Sequence, residues 1–364
     1  MSLLRELLIK AVAQGASDVH LKVDQPPALR IHYQLISIGE EPLTPEMLHQ
    51  MVEDMLPMHV RRRYELKHEV DFSLEEAEVG RFRVNVFLSH GLPTVAMRHV
   101  KTRIPTFEEL HLPLQLRDLA ATPRGIILAA GTTGSGKSTT LAALIQRINT
   151  TQRRRVITIE DPIEYVFEDD QSIISQREVG IDTISFNAAL RHVLRQDPDV
   201  IMIGEMRDAG SFMAAIAASE TGHLVFSTLH TDTAAQTISR ILNFFPFNER
   251  DQVRMSLASN LRAVICQRLI PAVRGGIVPA VEIMTSTSTV RKLIEKNLLE
   301  KLPAAIETGT EDGMQTFNQA VYQLIKNGAI TEEEGMPRAG NVETLKMNLK
   351  GIFLDEARRI LDSA

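Results

Sequence analysis

The stretch Gly125–Ser138, with the sequence GIILAAGTTGSGKS, decides the fold of this 364-residue chain. Its first part, Gly125–Ala130, is a continuous apolar run that predicts a buried strand, and Leu141–Ile145 beyond it predicts a helix. The loop between them, Gly131–Ser138, has the pattern G-x-x-x-x-G-K-S in the strand–loop–helix setting that the motif requires. The sequence therefore predicts a phosphate-binding loop in an α/β domain.

The residues of this loop have predicted roles toward ATP and Mg²⁺. Glycines let backbone N–H groups turn toward phosphates, and the start of the following helix adds positive potential. We expect Lys137 to reach the β- and γ-phosphates and Ser138 to ligate Mg²⁺. A chance glycine-rich turn is the alternative, and the flanking strand and helix patterns make it the weaker one. The predicted nucleotide-binding residues are Gly131, Thr132, Thr133, Gly134, Ser135, Gly136, Lys137, Ser138 and Thr139.

Two later apolar runs end in carboxylates. Val156–Ile159 leads into Glu160-Asp161-Pro162-Ile163-Glu164, and Val200–Ile203 leads into Gly204-Glu205. Ligands of parallel sheets lie at the carboxyl ends of the strands, so these acids are expected near bound Mg²⁺. We predict that Glu205 supports the metal, directly or through water, and that Glu164 positions and activates the attacking water. The alternative for each acid is a helix cap or a pair with an arginine.

A third apolar run, Leu224–Leu229, has a histidine at each end, His223 and His230. A lone histidine is more often a packing residue than a ligand. Two histidines that flank one strand, in a chain with a phosphate loop, are candidates for sensing the γ-phosphate, and His230 is the favoured one. A zinc site is disfavoured because no cysteine lies nearby and the spacing fits no zinc pattern.

Composition excludes several other functions. The chain has 46 acidic and 40 basic side chains and a formal charge of −6, which disfavours broad attraction to nucleic acid. It has no tryptophan and 5% aromatic residues, so base-stacking platforms are not expected. Its one cysteine, Cys266, cannot form an internal disulfide, which is typical of a reducing compartment. We therefore expect a cytoplasmic protein without a membrane span, whose membrane contact would come through a partner.

The first hundred residues predict a separate small α+β domain. Asp18–Val23 alternates polar and apolar residues, as a strand does, and so does Arg81–Phe87, with its arginines on one face. Thr44 and Pro45 predict the cap and the first position of a helix. Lys101–Pro105 is charged and ends in a proline that discourages helix, which predicts a linker over residues 101–106.

Taken in order, the motifs resemble those of the secretion-type hexameric ATPases, and specifically the PilT/PilU family of type IV pilus retraction ATPases. Gly131–Ser138 matches the Walker A motif, Glu160–Glu164 the Asp box, Gly204–Asp208 the atypical Walker B motif, and Thr221–His230 the His box. Further matching stretches are Gly15–Leu21, Gln176–Gly180, Arg195–Asp199 and Gly313–Phe317. The resemblance implies a PAS-like N-terminal domain over residues 1–100, a RecA-like ATPase core over 107–285, and a C-terminal helical segment and tail over 286–364.

The resemblance also implies a function and partners. It implies a hexameric Mg-ATPase that retracts type IV pili for twitching motility, located peripherally at the inner-membrane pilus base. The implied partners are the other subunits of a homohexamer, an inner-membrane platform protein and a second retraction ATPase, with no nucleic acid. In this family N-terminal arginines close onto the nucleotide. The candidate arginines are Arg81, Arg83 and Arg98, and Arg195 in the ATPase core. For Arg81 and Arg83 the alternative is a solvated strand face.

The sequence departs from the family pattern in two places. Thr289–Ile294 keeps only part of a motif common in retraction ATPases, and the segment Gly335–Ala364 extends past shorter members. In that tail, apolar residues recur at helical spacing, which predicts either a helix packed on its own domain or a helix that docks a partner. These apolar residues are Leu345, Leu349, Ile352, Phe353, Ile360 and Leu361.

Other functions stay open at this point. A pilus extension or secretion ATPase of the same superfamily would share the core, but extension motors often carry a four-cysteine zinc insert, which a chain with only Cys266 lacks. A RecA-like DNA translocase is disfavoured by the acidic charge and the absence of a basic stripe. A non-hydrolysing scaffold is disfavoured by the full set of Glu164, Glu205 and the two histidines.

Overall fold

The computed structural model describes residues 3–31, 34–101, 103–353 and 360–361. Internal contacts divide the chain into two compact units, with the boundary between Arg103 and Ile104. The short segment Glu164–Val166 groups with the first unit, because Tyr165 forms a parallel bridge with Lys101 and the Val166 N–H donates to the Lys101 carbonyl at 3.1 Å.

The first unit is a six-stranded antiparallel sheet with helices on one face. Its elements are α1 (Leu3–Ala13), β1 (Asp18–Lys22), β2 (Ala28–Ile31), β3 (Gln34–Ser37), α2 (Pro45–Met55), α3 (Met58–Lys67), β4 (Glu69–Glu76), β5 (Gly80–Ser89) and β6 (Leu92–Val100). The strand order is β3-β2-β1-β6-β5-β4. Leu8 of α1 and Leu48 of α2 are fully buried in one core with Phe82 of β5. α2 begins at the predicted place, and the Thr44 hydroxyl accepts a hydrogen bond from the Met47 N–H at 3.2 Å.

The second unit begins with a mixed sheet and the helices that cover it. These elements are α4 (Leu116–Leu119), β7 (Gly125–Ala130), α5 (Lys137–Thr151), β8 (Arg155–Glu160), β9 (Ile173–Glu178), α6 (Phe186–Val193), β10 (Val200–Ile203), α7 (Ala209–Glu220), β11 (Leu224–Leu229), α8 (Ala234–Leu242), α9 (Arg250–Asn260), β12 (Leu261–Pro271) and β13 (Ile277–Thr285). The strand order is β13-β12-β7-β11-β10-β8-β9, and only the β12–β13 pair among these described strands is antiparallel.

The apolar sequences of its inner strands explain why this sheet is parallel and buried. Every residue of β7, β10 and β11 is buried, as expected for strands that are covered by helices on both faces. Parallel pairing puts the carboxyl ends of these strands at one edge. The predicted α/β fold, an α+β N-terminal domain followed by a RecA-like core with C-terminal helices, is confirmed.

The C-terminal helices pack on the second unit. They are α10 (Ser288–Glu295), α11 (Leu302–Thr308), α12 (Phe317–Lys326), α13 (Glu332–Gly335) and α14 (Val342–Leu349). Leu345 of α14 is fully buried in the same core as Phe317, so α14 packs on its own unit. Phe353 meets the Tyr322 ring edge-on, with centroids 5.8 Å apart. Residues 354–359 and 362–364 of the tail lie outside the described residues. Within the described part of the chain, no helix is both long enough and apolar enough to cross a membrane.

The substitution Phe226→Ala tests how much the buried strand β11 stabilises this fold. The Phe226 side chain is fully buried on β11, so Phe226→Ala removes a ring from a closed core and should lower the free energy of unfolding by about 3–5 kcal/mol. Phe247 is 87% exposed, and Phe247→Ala should change it by less than about 0.5 kcal/mol. Urea denaturation of both variants measures the difference. Equal effects would contradict the assignment of Phe226 to the core.

Candidate nucleotide-binding and catalytic site

The phosphate loop joins the carboxyl end of β7 to the start of α5. Gly131, Gly134 and Gly136 have φ angles of 147°, 78° and 89°, which side chains disfavour. Gly136 is the N-cap of α5, a helix of 15 residues whose free N–H groups point back into the loop. The loop therefore has the backbone geometry of an anion cradle.

Neighbouring strand β12 packs directly against this loop. A Cβ on Gly131 would lie 2.7 Å from the Gln267 carbonyl oxygen, and one on Gly136 would lie 2.7 Å from Gln267 Nε2. The Gln267 side chain is held in place because Thr140 of α5 donates its hydroxyl to Gln267 Oε1 at 2.7 Å. Only glycine fits at these two positions, so the shape of the loop depends on β12 as well as on its own sequence.

The polar side chains of the loop are arranged around its centre. Lys137 is buried, and its Nζ donates to the carbonyls of Gly131 and Thr132 at 3.0 and 2.9 Å. The Ser135 hydroxyl is also buried and has no hydrogen-bond partner among the described residues. An unpartnered buried hydroxyl, a lysine and a glycine cradle together fit a phosphate chain.

Glu205 follows β10 in a turn that β11 holds. The Thr228 hydroxyl donates to the Gly204 carbonyl at 2.7 Å, and the Met206 N–H donates to the Thr228 carbonyl at 3.0 Å. The Glu205 side chain is 17% exposed and pairs with Arg207. The turn after β10 thus places a largely buried carboxylate at the same sheet edge as the phosphate loop.

His230 lies against Glu205, with Nε2 3.4 Å from Glu205 Oε2. Burial is the main cause that lowers the pKa of His230 below its ordinary 6.5, and the charges of Lys137 and Arg207 lower it further. The imidazole is therefore neutral at neutral pH, and its contact with Glu205 is a polar contact between a neutral ring and a carboxylate, not an ion pair.

The site residues have the composition that a nucleotide-borne Mg²⁺ needs. No group of three or more metal-ligating side chains occurs among the described residues. Mg²⁺ in such sites takes one or two protein ligands and the rest from phosphates and water. The Ser138 hydroxyl at the start of α5 and the Glu205 carboxylate fit that pattern.

Comparison with known proteins decides the family. A profile described as Type II/IV secretion system protein matches residues 1–333. The chain belongs to this family. The relatives include the type IV pilus ATPase PilU of Pseudomonas aeruginosa, 40% identical over 346 residues that span 95% of this chain and 91% of PilU. They also include the retraction ATPase PilT of the same organism, 42% identical over 92% of this chain and 97% of PilT.

A solved structure agrees with these relatives. The crystal structure of the pilus retraction motor PilT with bound ADP has a TM-score of 0.89 and 44% identity, and it covers 95% of this chain and 99% of that one. The resemblance inferred from the motifs is confirmed. This member of the type II/IV secretion family is an ATPase that binds nucleotide.

The two histidines of the family's His box lie at opposite ends of β11. In the parallel pair of β11 and β7, Leu229 lies opposite Ala130 and Leu224 opposite Gly125. A strand of six residues spans about 20 Å, so His223 lies roughly that far from the phosphate loop of its own subunit. His223 Nδ1 lies 2.8 Å from the Ala218 carbonyl and 3.0 Å from the Thr221 hydroxyl. The strand therefore separates His223 from the phosphate loop, whereas His230 lies at the loop's edge, and a role of either histidine in phosphate sensing stays a prediction.

Two glutamates of the Asp box, Glu160 and Glu164, belong to different compact units. Glu160 is 5% exposed at the end of β8, where Thr158 and Gln176 donate to its Oε1 at 2.6 and 3.0 Å. Glu164 is exposed and groups with the first unit. Glu160 thus supports the sheet edge, and the catalytic role of Glu164 stays a prediction.

The candidate arginines of the first unit already have partners on the sheet. Arg81 donates to the Ser73 hydroxyl at 3.2 Å, and Arg83 lies 3.9 Å from an Asp71 carboxylate oxygen. Arg98 donates to Asp18 at 2.9 Å. In the second unit, Arg195 is exposed in a short 3₁₀ turn that leads into the amino end of β10. Within its own subunit, Arg195 therefore precedes the strand end opposite the phosphate-loop edge.

Sequence reasoning missed Gln267, Arg207 and Thr228. Gln267 had a weak signal, because it is a polar residue inside the long apolar strand pattern of β12. Arg207 and Thr228 lie inside the Walker B and His box stretches, but their individual contacts depend on the turn after β10 and on the pairing of β10 with β11, which the motifs do not give.

A pair of glycine substitutions tests the contact with β12. Gly131→Ala and Gly134→Ala both force a side chain onto a positive φ, but only Gly131 meets another backbone, while nothing lies within 4 Å of a Cβ on Gly134. Gly131→Ala should therefore weaken ADP binding at least tenfold more than Gly134→Ala. Isothermal titration measures both affinities. Equal losses would mean that β12 does not shape the loop.

The lowered pKa of His230 predicts a pH dependence. The unfolded chain takes up a proton at pH 6.5 and the folded chain only at lower pH, so stability should fall as pH drops below 6.5. His230→Gln removes this contribution and should flatten the dependence between pH 7.5 and 5.5. The control is His49→Gln, which changes an exposed histidine of α2. Urea titrations at several pH values measure it, and identical slopes for wild type and His230→Gln would contradict the assignment.

Proposed function

We propose that the chain is a Mg²⁺-dependent ATPase motor that retracts type IV pili as a homohexamer. The observation that carries this proposal is the single edge at which Lys137, Glu205 and His230 meet. Its relatives support the direction of movement, since one is named a retraction ATPase and another a twitching motility protein of Neisseria gonorrhoeae that is 42% identical over 320 residues.

The residues of this edge and Glu164, which groups with the first unit, divide the chemistry of hydrolysis between them. The loop N–H groups and Lys137 bind the β- and γ-phosphates, and the Ser138 hydroxyl and Glu205 hold Mg²⁺. When bound, that ion neutralises charge on the phosphate oxygens. Glu164 positions the attacking water and accepts its proton. Hydrolysis mainly needs positioning and charge stabilisation, and these residues supply both.

The neutral imidazole of His230 would link the loss of the γ-phosphate to a change in the protein's own hydrogen bonds. With Nε2 at the Glu205 carboxylate, it can donate a hydrogen bond to the γ-phosphate or to Glu205. After the γ-phosphate is lost, Glu205 is the acceptor that remains for the His230 N–H. Because α8 begins at Ala234, four residues after His230, this exchange acts on the start of a helix.

The arginines complete the proposed motor. Arg81, Arg83, Arg98 and Arg195 would be delivered to phosphate when the subunits close, as arginine fingers are. Each of the first three would then exchange a sheet partner for phosphate. Such an exchange couples hydrolysis to movement of the first unit. The proposed location is the cytoplasmic face of the inner membrane, at a pilus platform protein and beside a second retraction ATPase.

Single substitutions test the hydrolysis. Lys137→Ala, Glu205→Gln and Glu164→Gln should each lower kcat at least 100-fold, because each removes a group that stabilises charge or positions water. Glu332→Gln changes an exposed carboxylate of α13 and should leave kcat unchanged. Phosphate release under saturating ATP and Mg²⁺ measures the effect. A wild-type protein that binds ATP without turning it over would support a scaffold.

Deletion in the parent bacterium tests the direction. Hyperpiliated cells that do not twitch indicate retraction, and bald cells indicate extension or secretion. Salt-sensitive DNA binding with DNA-stimulated hydrolysis would instead indicate a translocase.

A further inference from the structure

A second pocket adjoins the phosphate loop within the second unit. Its cavity of about 470 Å³ is lined by loop residues Thr132–Ser135, by the end of β12 at Gln267–Leu269, and by Asp232. The opposite wall is Pro337–Ala339, which comes after α13 and before α14. The matched family profile ends at residue 333, so this wall lies beyond the matched region.

Arg268 fixes this wall beside the loop. Its Nη1 donates to the carbonyls of Arg338 and Ala339 at 2.8 and 3.1 Å. Its guanidinium also lies 3.9 Å from the centre of the Phe317 ring, a distance typical of a cation–π contact. Two hydrogen bonds from this side chain hold the segment to the end of β12, and the ring contact holds Arg268 against α12.

Asn318 fixes the next residues of the same segment. Its side-chain oxygen accepts from the N–H groups of Gly340 and Asn341 at 2.8 and 2.9 Å, and its Nδ2 donates to the Asn341 carbonyl at 3.0 Å. The segment that forms the wall is therefore held from both β12 and α12.

The Arg338 side chain belongs to the lining of the pocket. The Arg338 carbonyl is occupied by Arg268, whereas the Arg338 guanidinium is exposed and makes no hydrogen bond or ion pair among the described residues. Leu269 and Pro337 add apolar surface on either side. A planar cation flanked by apolar side chains is suited to the face of an aromatic base and to ribose hydroxyls.

Phosphate is the less suitable occupant of this pocket. Gly134 and Ser135 of the phosphate loop line one wall, but Lys137 and the start of α5 are not part of the lining, and the pocket contains the Asp232 carboxylate. A carboxylate repels phosphate but can accept hydrogen bonds from ribose hydroxyls or from a base amino group. The charge of the pocket therefore favours the nucleoside end of a nucleotide.

We propose that residues 336–339 form the nucleoside wall of the ATP site, with Arg338 in contact with the base and ribose. Arg268 is a positioning residue that acts through this wall. The proposal rests on the proposed ATPase site and adds to it the part of the nucleotide that the phosphate loop does not bind.

The test compares a nucleotide with its phosphate chain alone, on the full-length protein. Isothermal titration measures the affinity for ADP and for tripolyphosphate. Arg338→Gln should weaken ADP binding about tenfold and leave tripolyphosphate binding unchanged. Arg268→Gln should produce the same split, because the wall loses its anchor. Arg274→Gln removes the same charge from an exposed residue between β12 and β13 and should change neither affinity.

Two outcomes would overturn the proposal. If Arg338→Gln weakens tripolyphosphate as much as ADP, Arg338 binds phosphate, and if it weakens neither, the wall does not contact the nucleotide. Arg338 is exposed, so its variant tests the proposal even where Arg268→Gln fails to fold. Wild-type protein that binds and hydrolyses ATP alongside an unaffected Arg338→Gln would contradict this inference alone. Wild-type protein that binds neither ligand would overturn the proposed function as well.

A second measurement uses the peptide bond after Arg338, which trypsin cleaves. Bound ADP should slow cleavage there at least fivefold, tripolyphosphate should not, and cleavage after Arg274 should be unaffected by either. Equal protection by both ligands would overturn the nucleoside assignment.

Discussion

The parallel pairing of β7 with β11 on one side and β12 on the other is the constraint on which the site depends. It puts Ala130 opposite both Leu229 and Cys266, so the residues that follow these three positions meet at one edge. The phosphate loop follows Ala130, His230 follows Leu229, and Gln267 follows Cys266 within β12. A one-residue shift in either pairing would move Gln267 away from Gly131 or His230 away from the phosphate loop.

This constraint explains which features sequence could predict. The phosphate loop and the turn at Glu205 were predictable, because each follows a buried apolar strand and the parallel sheet places strand ends together. The sequence pattern places His223 and His230 at opposite ends of one strand, and the length of that strand sets their separation. Gln267 was not predictable as a loop residue, since its contact with Thr140 joins positions 127 residues apart.

For the N-terminal arginines, the sequence predicted the strand face but not every contact. Alternation along β5 predicts that Arg81 and Arg83 share a face, and the structure agrees. The partner of Arg98 could not be predicted, because it depends on the register that puts Asp18 of β1 opposite Arg98 of β6. Asp18 is 8% exposed and also lies 3.9 Å from Arg30, so two cations share one buried carboxylate. Release of Arg98 leaves Arg30 to compensate that charge, which lowers the cost of moving Arg98.

Consecutive residues of β12 connect the two faces of the ATPase sheet. Neighbouring side chains on a strand point to opposite faces, and here Gln267 bonds Thr140 of α5 while Arg268 lies on the Phe317 ring of α12. A shift of the phosphate loop that moves Gln267 therefore also moves the anchor of the C-terminal segment. Since α14 follows that segment and buries Leu345 in the same core, two adjacent residues of β12 are the structural connection between the phosphate loop and the tail.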